Sequence, residues 1–308
     1  MEKKNIMIKE ALSVAIRASL QAGSAIIDIY ESADDLEIQK KDDDSPLTRA
    51  DRAAHEVISD ILIGASSSIT PHLLSEEGRD IPYEERKNWE YFWLVDPLDG
   101  TKEFINRNGE FTVNIALIRK DRPVLGVVYV PVKQTLYYAA EGIGAYRFGN
   151  SEKVKSEAVK SEEFSIDEII GNSEKLPVSS KHSTAHSSPL TVHPTPFPLL
   201  TVHSITIIAS RSHMNEETMK FVDDMKKKYK HVVLVSAGSS LKLCMVAEGS
   251  ADIYPRLGPT MEWDTAAAHA VVQYAGARIV TYPEEKPLAY NKMNLLNPFF
   301  VVSGKEIN

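Results

Sequence analysis

Asp96 and Asp99 stand three residues apart in residues 93–101, WLVDPLDGT, and Gly100 and Thr101 follow at once. Two carboxylates on a turn, with the Leu98 carbonyl between them, make an all-oxygen donor set suited to a hard cation such as magnesium. Gly100 permits a tight exit from the turn, and Thr101 offers a hydroxyl beside the metal. Asp, Pro and Gly are also favoured in any strand-end turn, so a lone pair of this kind reads as a plain turn. Acidic groups elsewhere tip the balance: residues 75–78 are SEEG and residues 262–264 are EWD. In SEEG, Glu76 is the candidate ligand, because the adjacent Glu77 points to the other side of an extended chain.

These residues need elements to hold them. Residues 91–95 have the aromatic and branched character of a buried strand, and Pro97 is expected to turn the chain out of the sheet. Thr48 precedes a helical segment, and Asp51 lies three residues on, the spacing of a capping box. Leu12, Ala15, Ile16, Ser19, Ala22, Ile26 and Ile29 recur at helical steps and predict a first amphipathic helix. Residues 111–118, 124–130 and 135–140 read as consecutive strands of a largely antiparallel sheet, with a turn at Gly142 and Gly144. Strands at 205–210 and 231–236 flank a helix at 215–229 capped by Asn215, which argues for an α/β second half. GSSLK, residues 238–242, turns into a helix whose first amides suit an anion. A strand then ends at Arg256, and Asp264 heads a helix to Gly276, where it would serve as N-cap.

Between the halves the character changes. Residues 150–163 are charge-rich, and residues 172–204 form a Ser/Pro-rich insertion expected to be a surface loop. His182, His186, His193 and His203 lie there, but no cysteine or carboxylate cluster closes a zinc site around them.

The whole chain has 308 residues, enough for one large domain with two halves, 1–171 and 205–308, about that insertion. At 43% apolar and 25% charged it is globular in composition, without an apolar run expected to span a bilayer. A net charge of −8 disfavours nucleic acid, whereas a small anionic substrate stays compatible, because bound cations reverse the sign of a site locally. No signal-peptide pattern opens the sequence, so the cytoplasm is the expected setting, with peripheral membrane association left open. The single cysteine, Cys244, excludes an internal disulfide and sits in an apolar stretch that suggests core packing.

With LTRAD at residues 47–51 added, the motifs resemble the lithium-sensitive, magnesium-dependent phosphomonoesterases related to inositol monophosphatase. The resemblance covers most of the chain, sparing about residues 150–204. It implies a layered αβαβα sandwich, α/β in class, with an antiparallel-rich first half and an α/β second half. It also implies two or three magnesium ions, inhibition by lithium, and ligands from Glu76, Asp96, the Leu98 carbonyl, Asp99 and Asp264. By the same resemblance Asp51 works with Thr101 to activate water. SRSH at 210–213, GSSLK and the PR ending at Arg256 resemble the CysQ-type 3'(2'),5'-bisphosphate nucleotidase branch. That branch implies removal of the 3'-phosphate of adenosine 3',5'-bisphosphate, or of its phosphosulfate. The substrate contacts implied are Gly100, Ser210, His213 beside adenine, Gly238, Ser239, and Lys242 and Arg256 on a phosphate held but not cleaved. An inositol monophosphatase or a fructose-bisphosphatase relative is the alternative enzyme. A catalytically silent sensor of magnesium and nucleotide is the alternative of another class.

Overall fold

The computed structural model describes residues 2–32, 38–40, 46–65, 72–149, 165–176, 204–210 and 214–304. Helix α1 (Glu2–Glu31) extends the amphipathic segment expected from the sequence at both ends. Its residues Ile6–Glu31 are long and apolar enough to cross a bilayer by composition. Leu12, Ala15, Ile16, Ala22 and Ile26 are nonetheless fully buried, in a core shared with α2 (Arg49–Gly64) and one face of a sheet.

A short antiparallel pair, β1 (Gln39–Lys40) and β2 (Pro46–Leu47), precedes α2. The first large sheet has seven strands in sequence order: β3 (His72–Ser75), β4 (Tyr91–Asp99), β5 (Thr112–Arg119), β6 (Arg122–Val130), β7 (Thr135–Ala140), β8 (Gly144–Gly149) and β9 (Glu174–Lys175). Every neighbouring pair is antiparallel except β3 and β4. Short helices α3 (Tyr83–Arg86) and α4 (Thr101–Ile105) flank β4, and α5 (Ile166–Gly171) leads into β9. The expected insertion therefore starts later than residue 172. Asn172 caps α5, β9 pairs with β8, and buried Leu176 donates its N–H to Ala145 O at 2.9 Å. Residues 177–203, with all four histidines weighed for zinc, lie outside the described residues.

The second sheet has five strands in the order β11 (His231–Ala237), β10 (Ser204–Ser210), β12 (Ile253–Arg256), β14 (Phe300–Ser303) and β13 (Arg278–Thr281). The first three are parallel, and β14 and β13 add antiparallel. Helix α6 (Glu216–Lys228), capped by Asn215 as expected, packs on the outer face through Phe221, Val222 and Met225. Between the sheets run α7 (Leu241–Ala247) and α8 (Glu262–Ala275), in a core that joins residues of both sheets. Such a position demands a helix apolar on all sides, and Ala266, Ala267, Ala268, Ala270, Val271 and Val272 are all buried. A Cβ at Gly126 of β6 would stand 2.1 Å from Ala267 O, so only glycine lets α8 lie this close to the sheet. The layers are helix, sheet, helix, sheet, helix, the αβαβα class expected. Cys244 is buried in the middle layer, where burial pushes its thiol up.

Candidate active site

The motif strand does not leave the sheet at Pro97. Asp96 pairs with Asn114 and Asp99 with Thr112, so three steps on β4 answer two on β5. The expected turn is a β-bulge, one of the few places in a sheet that tolerates a residue without an N–H. Asp96 is 2% exposed, and its Oδ1 accepts the Leu98 N–H at 3.1 Å. Gly100 then takes a left-handed φ of 95° that starts α4 at Thr101.

Asp51 occupies the third position of α2 and closes the capping box with Thr48. Its Oδ2 accepts from Thr48 N at 2.7 Å and from Thr48 Oγ1 at 2.5 Å. Its Oδ1 accepts from Thr101 Oγ1 at 3.1 Å, and Thr101 Oγ1 lies 3.4 Å from the Leu98 carbonyl. One carboxylate thus caps a helix and orients a hydroxyl at the start of α4.

Glu76 follows β3, and its N–H donates to Val95 O at 3.1 Å. Asp264 is not the N-cap of α8. Met261 holds that place, and Asp264, three residues on, accepts the Met261 N–H at 2.9 Å. Carboxylate oxygens of Glu76, Asp96 and Asp264 lie within 4.8 Å of one another. Desolvation first, then the charges of Asp99 and Glu76, push the Asp264 carboxyl well above the usual carboxylate range, against the Met261 N–H and then Arg256, which pull it down. An all-oxygen cluster of like charge, gathered from the turn after β3, from β4 and from α8, fits a hard divalent cation.

Asp99 stands beside this trio. Its Oδ2 accepts from Ser240 N at 2.6 Å, lies 2.8 Å from Ser240 Oγ and accepts from Asn114 Nδ2 at 3.3 Å. Gly238 N–H donates to Glu110 Oε2 at 2.9 Å. Two amides of the GSSLK turn, expected to face an anion, are therefore held by carboxylates of the chain itself. Lys242 is 6% exposed, and its ammonium donates to Ser239 O at 2.5 Å and Ala237 O at 3.4 Å. Burial pulls the Lys242 pKa down to about 8 against the opposing charge of Asp99. Arg256 Nη2 donates to Pro259 O at 2.6 Å, whereas buried Arg256 Nε and Ser239 Oγ have no hydrogen-bond partner among the described residues. An open cleft of about 210 Å³ is lined by Glu76, Asp99, Gly100, Thr101, Gly238, Ser239, Lys242, Arg256 and Asp264. Ser210 ends β10 beside Ala237, and His213 lies outside the described residues.

The model of the inositol monophosphatase family matches residues 7–298. The chain belongs to the inositol monophosphatase family. Among curated relatives of this family member, the 3'(2'),5'-bisphosphate nucleotidase CysQ of Salmonella typhimurium is 42% identical over 92% of this chain and 95% of that protein. Its counterpart from Haemophilus influenzae is 32% identical over 96% and 93%. Of solved structures, CysQ from Bacteroides thetaiotaomicron, described as a bacterial member of the family, superposes with a TM-score of 0.78 at 45% identity, covering 97% of this chain and 98% of that one. An inositol monophosphatase from Anabaena shares the fold, with a TM-score of 0.65 at 22% identity over 96% and 91%.

Within this family fold, several site residues were missed by sequence reasoning. Asn114 and Ser240 grip Asp99, and Glu110 holds the GSSLK turn. Asn114 carried a signal, being a polar residue inside the apolar run of β5. Fully buried Glu262 accepts from Asn291 N at 2.6 Å, Lys292 N at 3.0 Å and Lys292 Nζ at 2.6 Å, tying a late loop to the start of α8. Its place in EWD was noticed, but its partners lie too far along the chain to be read from spacing.

Proposed function

We propose that the protein is a magnesium-dependent phosphomonoesterase that removes the 3'-phosphate of adenosine 3',5'-bisphosphate, leaving AMP, and that it also accepts the corresponding phosphosulfate. The observation that carries this is one cleft lined by two chemically different kinds of group. Glu76, Asp264 and Thr101 line it, and so do Arg256 and Ser239, whose buried Nε and Oγ have no hydrogen-bond partner among the described residues. A substrate with a phosphate to cleave and a second to hold suits such a cleft. The 42% identical nucleotidase from Salmonella supports that substrate class.

Glu76, Asp96, the Leu98 carbonyl, Asp99 and Asp264 would hold the magnesium, and the family resemblance extends this to two or three ions and to lithium inhibition. When bound, magnesium supplies charge neutralisation on the phosphoryl oxygens and lowers the pKa of water. Thr101 Oγ1 takes a proton from the attacking water as it gives its own to Asp51 Oδ1, 3.1 Å away. Thr48 steadies Asp51 from the other side through two hydrogen bonds. Arg256 and Ser239 would hold the 5'-phosphate, with Gly100, Lys242 and Gly238 shaping the same cleft, and Ser210 and His213 are assigned to the nucleoside by the family resemblance. The two halves act as one domain, 1–308, in the cytoplasm, with a small-molecule substrate and no nucleic-acid partner.

Product identity tests this reading. Adenosine 3',5'-bisphosphate incubated with the protein and Mg2+ should yield inorganic phosphate and the 5'-monophosphate, resolved by chromatography from the 3'-monophosphate. Accumulation of the 3'-monophosphate, or no phosphate release, would overturn it.

A further inference from the structure

Helix α2 carries Asp51, the turn after β3 carries Glu76, and one side chain joins the two. His55 lies one helical turn past Asp51 on α2. Its Nδ1 is 2.9 Å from Ser75 Oγ, and its Nε2 is 3.4 Å from Ser59 Oγ. Ser75 is 6% exposed, ends β3 and directly precedes Glu76. The turn itself is closed by backbone bonds, from Glu76 N to Val95 O at 3.1 Å and from Gly78 N to Ser75 O at 3.0 Å. The first bond fixes the turn on β4, the second closes it on itself, and His55 ties it to α2 as well. Burial lowers the imidazole pKa against the opposing charges of Glu77 and Glu56. The neutral ring so favoured has one donor and one acceptor nitrogen, matching a hydroxyl on each side.

We propose that His55 is a positioning residue for the metal site, which through Ser75 holds Glu76 at a fixed separation from the Asp51–Thr101 pair. This rests on Glu76 being a metal ligand. Outer hydrogen bonds that orient ligands alter metal affinity by about 10–100-fold when removed. Here the bond is made one residue before the ligand, so the lower end of that range applies.

The test is calorimetric titration of the full chain with Mg2+ alone, beside melting curves in EDTA. His55→Ala and Ser75→Ala should each weaken Mg2+ binding about tenfold. His55→Asn, whose amide can stand where Nδ1 stands, should recover most of the affinity, and His55→Gln, which reaches only the Nε2 position, should not. Should His55→Ala fail to fold, Ser75→Ala carries the test, since it removes a single oxygen. A merely structural histidine would lower the melting temperature in EDTA and leave affinity unchanged. Wild-type affinity in both alanine variants, or no recovery in His55→Asn, overturns the positioning role if Glu76→Gln has lost binding. Wild-type affinity in Glu76→Gln overturns the ligand reading beneath it.

Discussion

Asp264 carries an electrostatic cost in the cleft. Desolvation, Asp99 and Glu76 all disfavour its charge, and a cation relieves all three effects at once. Replacing it by Asn keeps an acceptor for the Met261 N–H and removes the charge. Asp264→Asn should therefore raise the melting temperature in EDTA by roughly 2–4 °C, equivalent to about 1 kcal/mol, and abolish the further rise that Mg2+ gives the wild type. A lower melting temperature in EDTA would show that the carboxylate is not under strain. Arg256 and Lys242, paired in the sequence reading, separate in the structure. Lys242 spends its ammonium on the carbonyls of its own turn, whereas Arg256 keeps a buried Nε unpartnered beside the cleft. Arg256→Met should lower kcat/KM for the bisphosphate about tenfold to a hundredfold, the worth of a charge-assisted contact, and leave a 3'-monophosphate almost unaffected. Lys242→Met should reduce both substrates alike. Equal losses for both substrates in Arg256→Met would place that residue in the frame instead.

At the scale of elements, α8 does most to join scaffold and site, because its first turn carries Asp264 and its body is sealed against both sheets. Gly126→Ala would drive a methyl into Ala267 O and push the helix off β6. The expected cost is about 1–3 kcal/mol of stability together with weaker Mg2+ binding, read by denaturant titration and calorimetry. Unchanged binding would mean that the first turn of α8 is anchored independently, for instance through Glu262. The same helix buries His269 against the Tyr290 hydroxyl, 2.8 Å away, and burial pulls its pKa down to about 3 from 6.5. Between those values the unfolded chain binds a proton that the folded one refuses, so His269 costs stability as pH falls. The loss is about 1.4 kcal/mol per pH unit. His269→Gln should flatten the stability profile by that slope over the acid range, and an unaltered slope would contradict the assignment. Elements with local signals were legible: the capping box of α2, the Asn215 cap of α6 and the strands β5 to β7 all follow from periodicity and capping chemistry. The bulge at Pro97 was not, because a turn and a bulge use the same residues and differ only in what β5 does opposite. Asp264 was displaced for a similar reason, since a helix-opening aspartate fits the N-cap and the third position equally well without the Met261 geometry.

For the molecule as a whole, the two sheets bring acidic groups from the first half and the GSSLK turn and Arg256 from the second to a common cleft. The αβαβα layering was legible only through the resemblance, because composition and strand count do not say which helices lie between sheets. The gathering of Glu76, Asp96 and Asp264 was legible from their motifs. The tie of Ser240 to Asp99 and Asn114 was not, since it joins residues over a hundred positions apart. A cleft of this construction should favour a substrate with two phosphates over one with a single phosphate on a polyol. The most direct measurement compares kcat/KM for adenosine 3',5'-bisphosphate and inositol 1-phosphate on one preparation at one Mg2+ concentration. The account predicts a clear preference for the bisphosphate that is lost in Asp96→Asn and absent without Mg2+. Equal or faster turnover of inositol 1-phosphate would contradict it.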